Sequence, residues 1–433
     1  MSTLATSLAW LDSHDNQEAT AGVVDELSLD RMRVLVDLLG EPQRAYPVIH
    51  VTGTNGKGST AAMIASLLRA HGLSVGRFSS PHLERLNERF EWDGGSIDDE
   101  ALTDLLERME AVTDLVDGDP PSWFELVTAA AFMWFADVGV DIAVVEVGLL
   151  GRYDATNVAD GTVAVVTNVG RDHTDRKPGW ERMIAAEKAG IVGPGATLVL
   201  GERDAELEDL FLAEGPEEVW RRDVDFGVGA NRLALGGRLV DLHTPYSQVE
   251  EVFLPVHGEH QGENAAAALA AVDAFFGRST GDDVVHEGFA SVSVPGRFEV
   301  VGREPLVILD GAHNPDGVEA FVETMSEFTP AGDLVVVFGQ LAGRDPDEML
   351  QTLAEADPAR VVLCSAPSPR AVPVTDLMAA AERAGLAAEP ADSVADAVAR
   401  GRELVGLEGA LAVTGSLTVV GAARTVLAPG EGT

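Results

Sequence analysis

Cysteine is all but missing from this chain of 433 residues, with Cys364 standing alone. No internal disulfide can form, and a reducing compartment is expected. Basic residues are scarce as well: Lys+Arg 30 against Asp+Glu 71 gives a formal net charge of −41. That field repels nucleic-acid backbones and anionic lipid surfaces, so neither is expected as a partner. An anionic nucleotide is still admissible, because a metal ion and a few local groups can invert the field. The acidity itself reads as a solvated surface, of a kind suited to a salty cytoplasm. Long apolar runs are absent; residues 129–136 fall well short of the roughly 20 needed to span a bilayer. The first residues show no basic segment followed by an apolar one, so no secretory signal is expected. There is no fixed-period repeat and no long low-complexity tract. A soluble, cytoplasmic monomer is the expectation.

What is present fits a globular protein: 46% hydrophobic and 23% charged residues. The length exceeds one ordinary core, so two domains are expected. Short β-branched runs at 48–52, 74–79, 142–147, 163–168, 197–200, 306–309, 334–338, 361–365 and 411–414 read as strands. Several are continuously apolar, which suits strands covered on both faces. Helical patterns intervene at 60–70, 125–135, 181–189, 263–275, 375–384 and 395–404. The alternation predicts α/β domains with parallel sheets. Residues 202–241 break the pattern and predict a small antiparallel excursion. Val294-Pro295-Gly296 is a turn signal and divides the chain into domains 1–294 and 295–433.

His50-Val-Thr-Gly-Thr-Asn-Gly-Lys-Gly-Ser59 is the strongest local motif. A strand ends at Thr52, a Gly-rich turn follows, and an amphipathic helix continues through Leu68. Gly53, Gly56 and Gly58 allow backbone conformations and close approach that a Cβ would block. Turn and helix-start amides then converge where phosphate binds through hydrogen bonds and the helix dipole. Lys57 suits the β/γ-phosphates and Ser59 a Mg²⁺ ion. The spacing G-x-x-G-K-G-[ST] is a variant of the standard phosphate loop. Thr54, Asn55, Gly56, Lys57, Gly58, Ser59 and Thr60 are the candidate nucleotide-binding residues.

Further motifs follow in order: Leu39-Gly-Glu-Pro-Gln43, Ser79-Ser-Pro-His-Leu83, Phe124-Glu-Leu-Val-Thr128, Val145-Glu-Val-Gly148, Asp154-Ala-Thr-Asn157, Asp172-His173, Glu187-Lys-Ala-Gly-Ile191, Pro295-Gly-Arg-Phe-Glu299 and Asp310-Gly-Ala-His-Asn-Pro315. On these residues the chain resembles the amide-bond ligases of the Mur ligase superfamily. Within it, the chain looks most like the folylpolyglutamate synthase/dihydrofolate synthases, over nearly its whole length. The resemblance implies an N-terminal phosphate-loop ATPase domain with a mostly parallel sheet. A smaller Rossmann-like, doubly wound glutamate-ligase domain follows.

Glu146 ends an apolar strand, where a carboxylate is costly unless it is paired or binds metal. The C-terminal end of a parallel strand is also where open α/β sheets bind ligands. The resemblance assigns Glu146 and Ser59 to Mg²⁺, and His173 to a second Mg²⁺. Spacing alone leaves His173 an ordinary loop histidine, nitrogen being an uncommon Mg²⁺ ligand. Lys188, one of very few lysines, could be a solvated helix residue. By resemblance it is carbamylated and becomes an anionic metal ligand, which requires burial to lower its pKa. Asn264 is implied at the adenine, with Gln261 a weaker contact. Arg297, whose planar fork suits a phosphoryl group, is implied on ATP phosphate. Asp310 and His313 are implied at the nucleotide and the reacting centre, although Asp-Gly-Ala-His-Asn-Pro by itself is simply a good turn. Ser80 and His82 would line the folate side, and Asp154 would assist pterin binding.

The implied activity is ATP-dependent addition of L-glutamate to dihydropteroate or a reduced folate. It would proceed through an acyl phosphate, with no side-chain nucleophile. Leu150 stands where the family commonly has Gly, Tyr153 where it has Leu, and residues 177–180 replace a usual Leu-Gly-x-Thr. These departures bear on pterin specificity and leave the phosphate and metal residues intact. A ligase of another branch, using a different carboxylate, is the alternative. A non-catalytic nucleotide-binding paralogue is a third reading.

Overall fold

The computed structural model describes residues 3–16, 28–116, 118–172, 178–328 and 332–427. The apolar runs form strands sandwiched between helices, as expected where both faces must be covered. The N-terminal domain holds eight strands: β1 (Val48–Thr52), β2 (Val75–Phe78), β3 (Phe90–Trp92), β4 (Gly95–Ser96), β5 (Ile142–Glu146), β6 (Gly161–Val166), β7 (Thr197–Leu200) and β8 (Glu218–Arg221). They lie in the order β4-β3-β2-β5-β1-β6-β7-β8. Only β3, against β2 and β4, pairs antiparallel. β1 sits between β5 and β6, with Val51 opposite both Glu146 and Val165.

A meander of β9 (Gly227–Ala234), β10 (Gly237–His243) and β11 (Gln248–Leu254) stands beside this sheet. The expected antiparallel excursion therefore exists but is displaced toward the C-terminus. The acidic stretch after 202 instead folds as the helix Ala205–Leu212 and the edge strand β8. Its Asp204 side chain caps the helix by accepting from Glu206 N, and Leu207 and Phe211 supply a buried face. Residues 218–221, within the span expected to be antiparallel, instead pair parallel with β7 and extend the large sheet.

The C-terminal domain is a second α/β unit: β12 (Glu299–Arg303), β13 (Leu306–Leu309), β14 (Leu334–Phe338), β15 (Arg360–Leu363), β16 (Ala388–Pro390) and β17 (Ala410–Thr414). The order is β12-β13-β17-β14-β15-β16, parallel except for β12.

β1 positions the site because its two faces differ. Ile49 and Val51 enter a core with Met63 and Ile64 of the helix Lys57–Ala70 and with Ala265–Ala271 of the helix His260–Phe276. The run of alanines lets those two helices approach closely. The opposite face carries Val48, His50 and Thr52, and Val48 joins the core built on the helix Trp123–Val138. Among the described residues, no helix is long and apolar enough to cross a membrane.

Candidate active site

The turn after β1 is fixed by space and by asparagine. At Gly53 (φ +151°) a Cβ would lie 1.7 Å from Thr167 Oγ1, so no other residue fits. Gly56 (φ +84°) precedes the helix Lys57–Ala70 in the left-handed region, and a Cβ there would lie 2.4 Å from Asn264 Oδ1. Asn168, just past β6, accepts from Thr54 N at 3.2 Å and Asn55 N at 3.0 Å through Oδ1, and its Nδ2 donates to Asn55 O at 3.1 Å. Thr167 Oγ1 also donates to Asn55 O, at 2.6 Å. The amides of the following helix's first turn have no intrahelical partner and face one hollow. Lys57 Nζ folds across it, donating to Gly53 O at 3.1 Å and Thr54 O at 3.3 Å. Thr60 is fully buried behind the loop and its hydroxyl has no partner.

Glu146, at the end of β5, lies against this turn: a Cβ on Gly58 would be 3.4 Å from its Oε2. The same oxygen accepts from Ser80 N at 3.2 Å. Burial pushes the carboxyl up, while Lys57, the Ser80 amide, Arg297 and Arg77 pull it down. A buried carboxylate with one amide donor and three remote cations is incompletely compensated. A divalent cation beside Ser59 would supply what it lacks, so the residues fit a metal. Ser59 is buried, and Gln261 Nε2 donates weakly to its Oγ at 3.5 Å. Asn264 Nδ2 donates in turn to Gln261 Oε1 at 3.0 Å.

Lys188 sits on the helix Trp180–Ala189 and is 3% exposed. Burial, then Lys57, holds its amine well below the ordinary lysine value, opposed by Asp172. Lys57, Lys177 and Lys188 are the only lysines in the chain, and the first and last border the same cavity. His173, expected at a second ion, and Lys177 lie outside the described residues. Among the described residues no three His, Cys, Asp or Glu side chains gather for a metal.

The C-terminal domain closes the far side. Arg297 Nη1 donates to Gly311 O at 3.3 Å. Asp310, at the end of β13, accepts from Phe298 N at 2.8 Å and Ala312 N at 2.9 Å. Burial raises its carboxyl against the pull of Arg297. His313 Nδ1 is 2.8 Å from Gly311 O, and its Nε2 is 3.6 Å from Asp172 Oδ2. Arg344 donates to both Asp172 oxygens, at 2.7 and 2.9 Å. Asn55 and Asn314 exchange side-chain amide bonds at 3.0 and 3.3 Å, so the phosphate loop itself touches the other domain. Asn168 and Arg344 had no sequence signal beyond their residue type, and Asn314 lay within the Asp310–Pro315 motif without a role assigned to it.

On the remaining side, residues 148–156 follow β5. Asp154 Oδ1 accepts from Thr156 N at 3.0 Å and Thr156 Oγ1 at 2.5 Å, and Oδ2 accepts from Leu149 N at 2.7 Å. Burial raises its carboxyl, and these donors oppose the rise. Leu150, where glycine is common in the resembling family, has φ +61°. The family's glycine is thus the relaxed residue there and leucine the strained one. Arg89 is 1% exposed, lies 4.8 Å over the Trp123 ring and donates through Nε to His82 Nδ1 at 2.9 Å. Gly148 touches the Phe124 ring so closely that a Cβ would lie 2.3 Å from it. Trp123 and Arg89 were not legible as cavity residues, since by type the first reads as ordinary core and the second as solvated surface.

One cavity of about 1360 Å³ joins these pieces. Thr54, Asn55, Gly56, Lys57, Gly58, Ser59, Ser80, His82, Glu146, Asp154, Lys188, Asn264, Arg297, Asp310 and His313 all border it; Thr60 does not.

Two family models match the chain. The Mur ligase middle domain covers residues 124–272, and the Mur ligase glutamate ligase domain covers residues 296–417. A dihydrofolate synthase/folylpolyglutamate synthase of Mycobacterium tuberculosis is 38% identical, over 92% of this chain and 90% of that one. A Mycobacterium tuberculosis folylpolyglutamate synthase complexed with ADP superposes with a TM-score of 0.92 at 37% identity, covering 98% of both chains. A bifunctional folylpolyglutamate synthase/dihydrofolate synthase with Mn, AMPPNP and L-glutamate bound gives a TM-score of 0.85 at 28% identity, covering 99% of this chain and 98% of that one.

Proposed function

This chain belongs to the Mur ligase family, in its dihydrofolate synthase/folylpolyglutamate synthase branch, and from that premise we propose that it joins L-glutamate to dihydropteroate, or to the γ-carboxylate of a folyl(poly)glutamate, using ATP. The observation that carries the reading is the shared cavity. It puts the phosphate loop, the buried Glu146 and Lys188, and the Ser80, His82 and Asp154 group within one enclosure.

A carboxylate is a poor acyl donor, because its leaving group would be oxide. Transfer of the γ-phosphoryl of ATP to a carboxylate oxygen gives an acyl phosphate and ADP. The neutral amine of glutamate attacks the acyl carbon, phosphate leaves, and the amide nitrogen loses its extra proton. Positioning and charge neutralisation dominate such chemistry. The amides from Gly56 to Ser59, Lys57 and Arg297 hold the phosphates, with Thr54 and Asn55 shaping the turn through Asn168. Asn264 meets the adenine, with Asp310 and His313 reaching the nucleotide and reacting centre from the other wall. Ser59 and Glu146 would hold a Mg²⁺ ion, and His173 with Lys188 a second. Bound there, a metal would neutralise charge on the phosphoryl oxygens. Lys188 is carbamylated on this reading: its buried, neutral amine adds CO₂, releases a proton and becomes an anionic oxygen ligand. Ser80, His82 and Asp154 line the pterin side. Residues 1–294 carry ATP and the acyl substrate, and residues 295–433 carry the glutamate-ligase domain. The lone buried cysteine supports a cytoplasmic setting.

Phosphate release with dihydropteroate, glutamate, ATP and Mg²⁺ tests the reading. Turnover is expected. Turnover only with another carboxylic acid would transfer the chain to a different ligase specificity. Nucleotide binding without turnover of any acid would leave a regulator.

A further inference from the structure

His50 opens the phosphate-loop motif but has no part in the chemistry above. It is fully buried in β1. Its Nε2 lies 2.9 Å from Thr156 Oγ1, while its Nδ1 is buried with no partner. Thr156 Oγ1 has a single hydrogen, and it points at Asp154 Oδ1, 2.5 Å away. An ionised carboxylate only accepts. With Asp154 ionised, the imidazole is the donor to Thr156, with its proton on Nε2. Two residues along the same strand face, Thr52 Oγ1 donates to Leu150 O at 2.6 Å. The two polar side chains of β1 thus both reach the segment 148–156, from an otherwise apolar strand.

We propose that His50 is a positioning residue for the acyl substrate: through Thr156 it fixes the Asp154 carboxylate, so that the strand bearing the phosphate loop also sets the pterin anchor. This rests on the reading that Asp154 meets the pterin. Thr156 fills both lone pairs of Oδ1 through its amide and hydroxyl; Oδ2, which accepts from Leu149 N with the Gly148 amide beside it, is the oxygen that would face N–H donors of a pterin ring. Without the imidazole donor the Thr156 hydroxyl is free to rotate, and the carboxylate loses its fixed direction.

Two nearly isosteric variants separate the relay from simple packing. His50→Gln places an amide N–H near the Nε2 position; His50→Asn places one near Nδ1 instead. With dihydropteroate, His50→Asn is expected to raise KM for that substrate about tenfold, the effect of one buried hydrogen bond left unmade. Its KM for ATP should stay within about twofold, and His50→Gln should resemble the wild type. Thr156→Val should repeat the His50→Asn result, the pair being non-additive, while Thr156→Ser keeps the hydroxyl and stays near wild type. Should His50→Asn fail to fold, His50→Leu, which occupies the buried site without a donor, carries the same comparison against His50→Gln. An equal rise in KM for ATP, or no change in either constant, would overturn the relay. A wild-type enzyme that does not turn over dihydropteroate would instead overturn the substrate reading, and is recognised before any variant is made.

Discussion

The turn after β1 and the segment after β5 leave paired strands side by side, yet they are held by opposite means. The first is shaped by backbone: glycines that admit no Cβ, and amides pinned by Asn168. The second is shaped by side chains: Asp154, Thr156 and His50 in series, with a leucine held at φ +61°. Phosphate is the same in every nucleotide and can be met by main chain alone. An acyl substrate varies in shape, and its anchor is built from residues that substitution can retune. The difference teaches where specificity can drift without loss of the phosphoryl chemistry.

The sharpest way to break this contrast is Gly53→Ala. With 1.7 Å to Thr167 Oγ1 and φ +151°, the turn cannot accept a methyl group. A loss in kcat/KM of about 10³-fold or more is expected, of the order of a missing set of phosphate contacts, with ATP binding lost by calorimetry. Activity within tenfold of wild type would mean the turn is malleable. Next in size, Glu146→Gln should lower kcat/KM about 10²-fold and raise the Mg²⁺ concentration for half-activity. Thermal stability should rise or hold, because an undercompensated buried charge is removed. A lower melting temperature would count against its being undercompensated. Asp154→Asn should raise KM for dihydropteroate by about ten- to a hundredfold, leaving KM for ATP alone. Movement of both constants together would erase the division between the two segments.

The smallest effect is a pH slope. Burial holds the His50 imidazole at about 3, against its ordinary 6.5. Between those values the unfolded chain takes up a proton that the folded chain refuses. Its share of stability is therefore whole above pH 6.5 and declines, by up to about 1.4 kcal/mol per pH unit, as pH falls toward 3. Glutamine at position 50 removes that share. The gap between wild-type and His50→Gln denaturation midpoints should shift in favour of the variant as pH drops from 7.5 to 4.5. A constant gap would place the His50 proton affinity near normal.

Glycine spacing made the phosphate turn legible, because close backbone approach leaves a mark in residue type. Apolar runs likewise gave β1, β7, β13 and β14 to the residue. Asn168 was invisible, since an asparagine after a strand looks the same whether it clamps a loop 113 residues away or meets water. Residues 202–241 misled for a related reason: local alternation does not say which sheet a strand will join. His50 sat in plain view inside the motif, but its partner is 106 residues distant, and only the folded chain supplies it.

Two of the three lysines border the cavity, which makes the cleft a rare chemical address. An amine-directed acylating reagent meets almost no competing ε-amine elsewhere on so lysine-poor a chain. Its uptake at Lys57 would report, in a single mass difference, whether a nucleotide is in place. The same scarcity leaves lysine immobilisation few attachment points, one of them Lys57 at the cavity itself, so sensors built on this chain call for coupling through the abundant carboxyls instead.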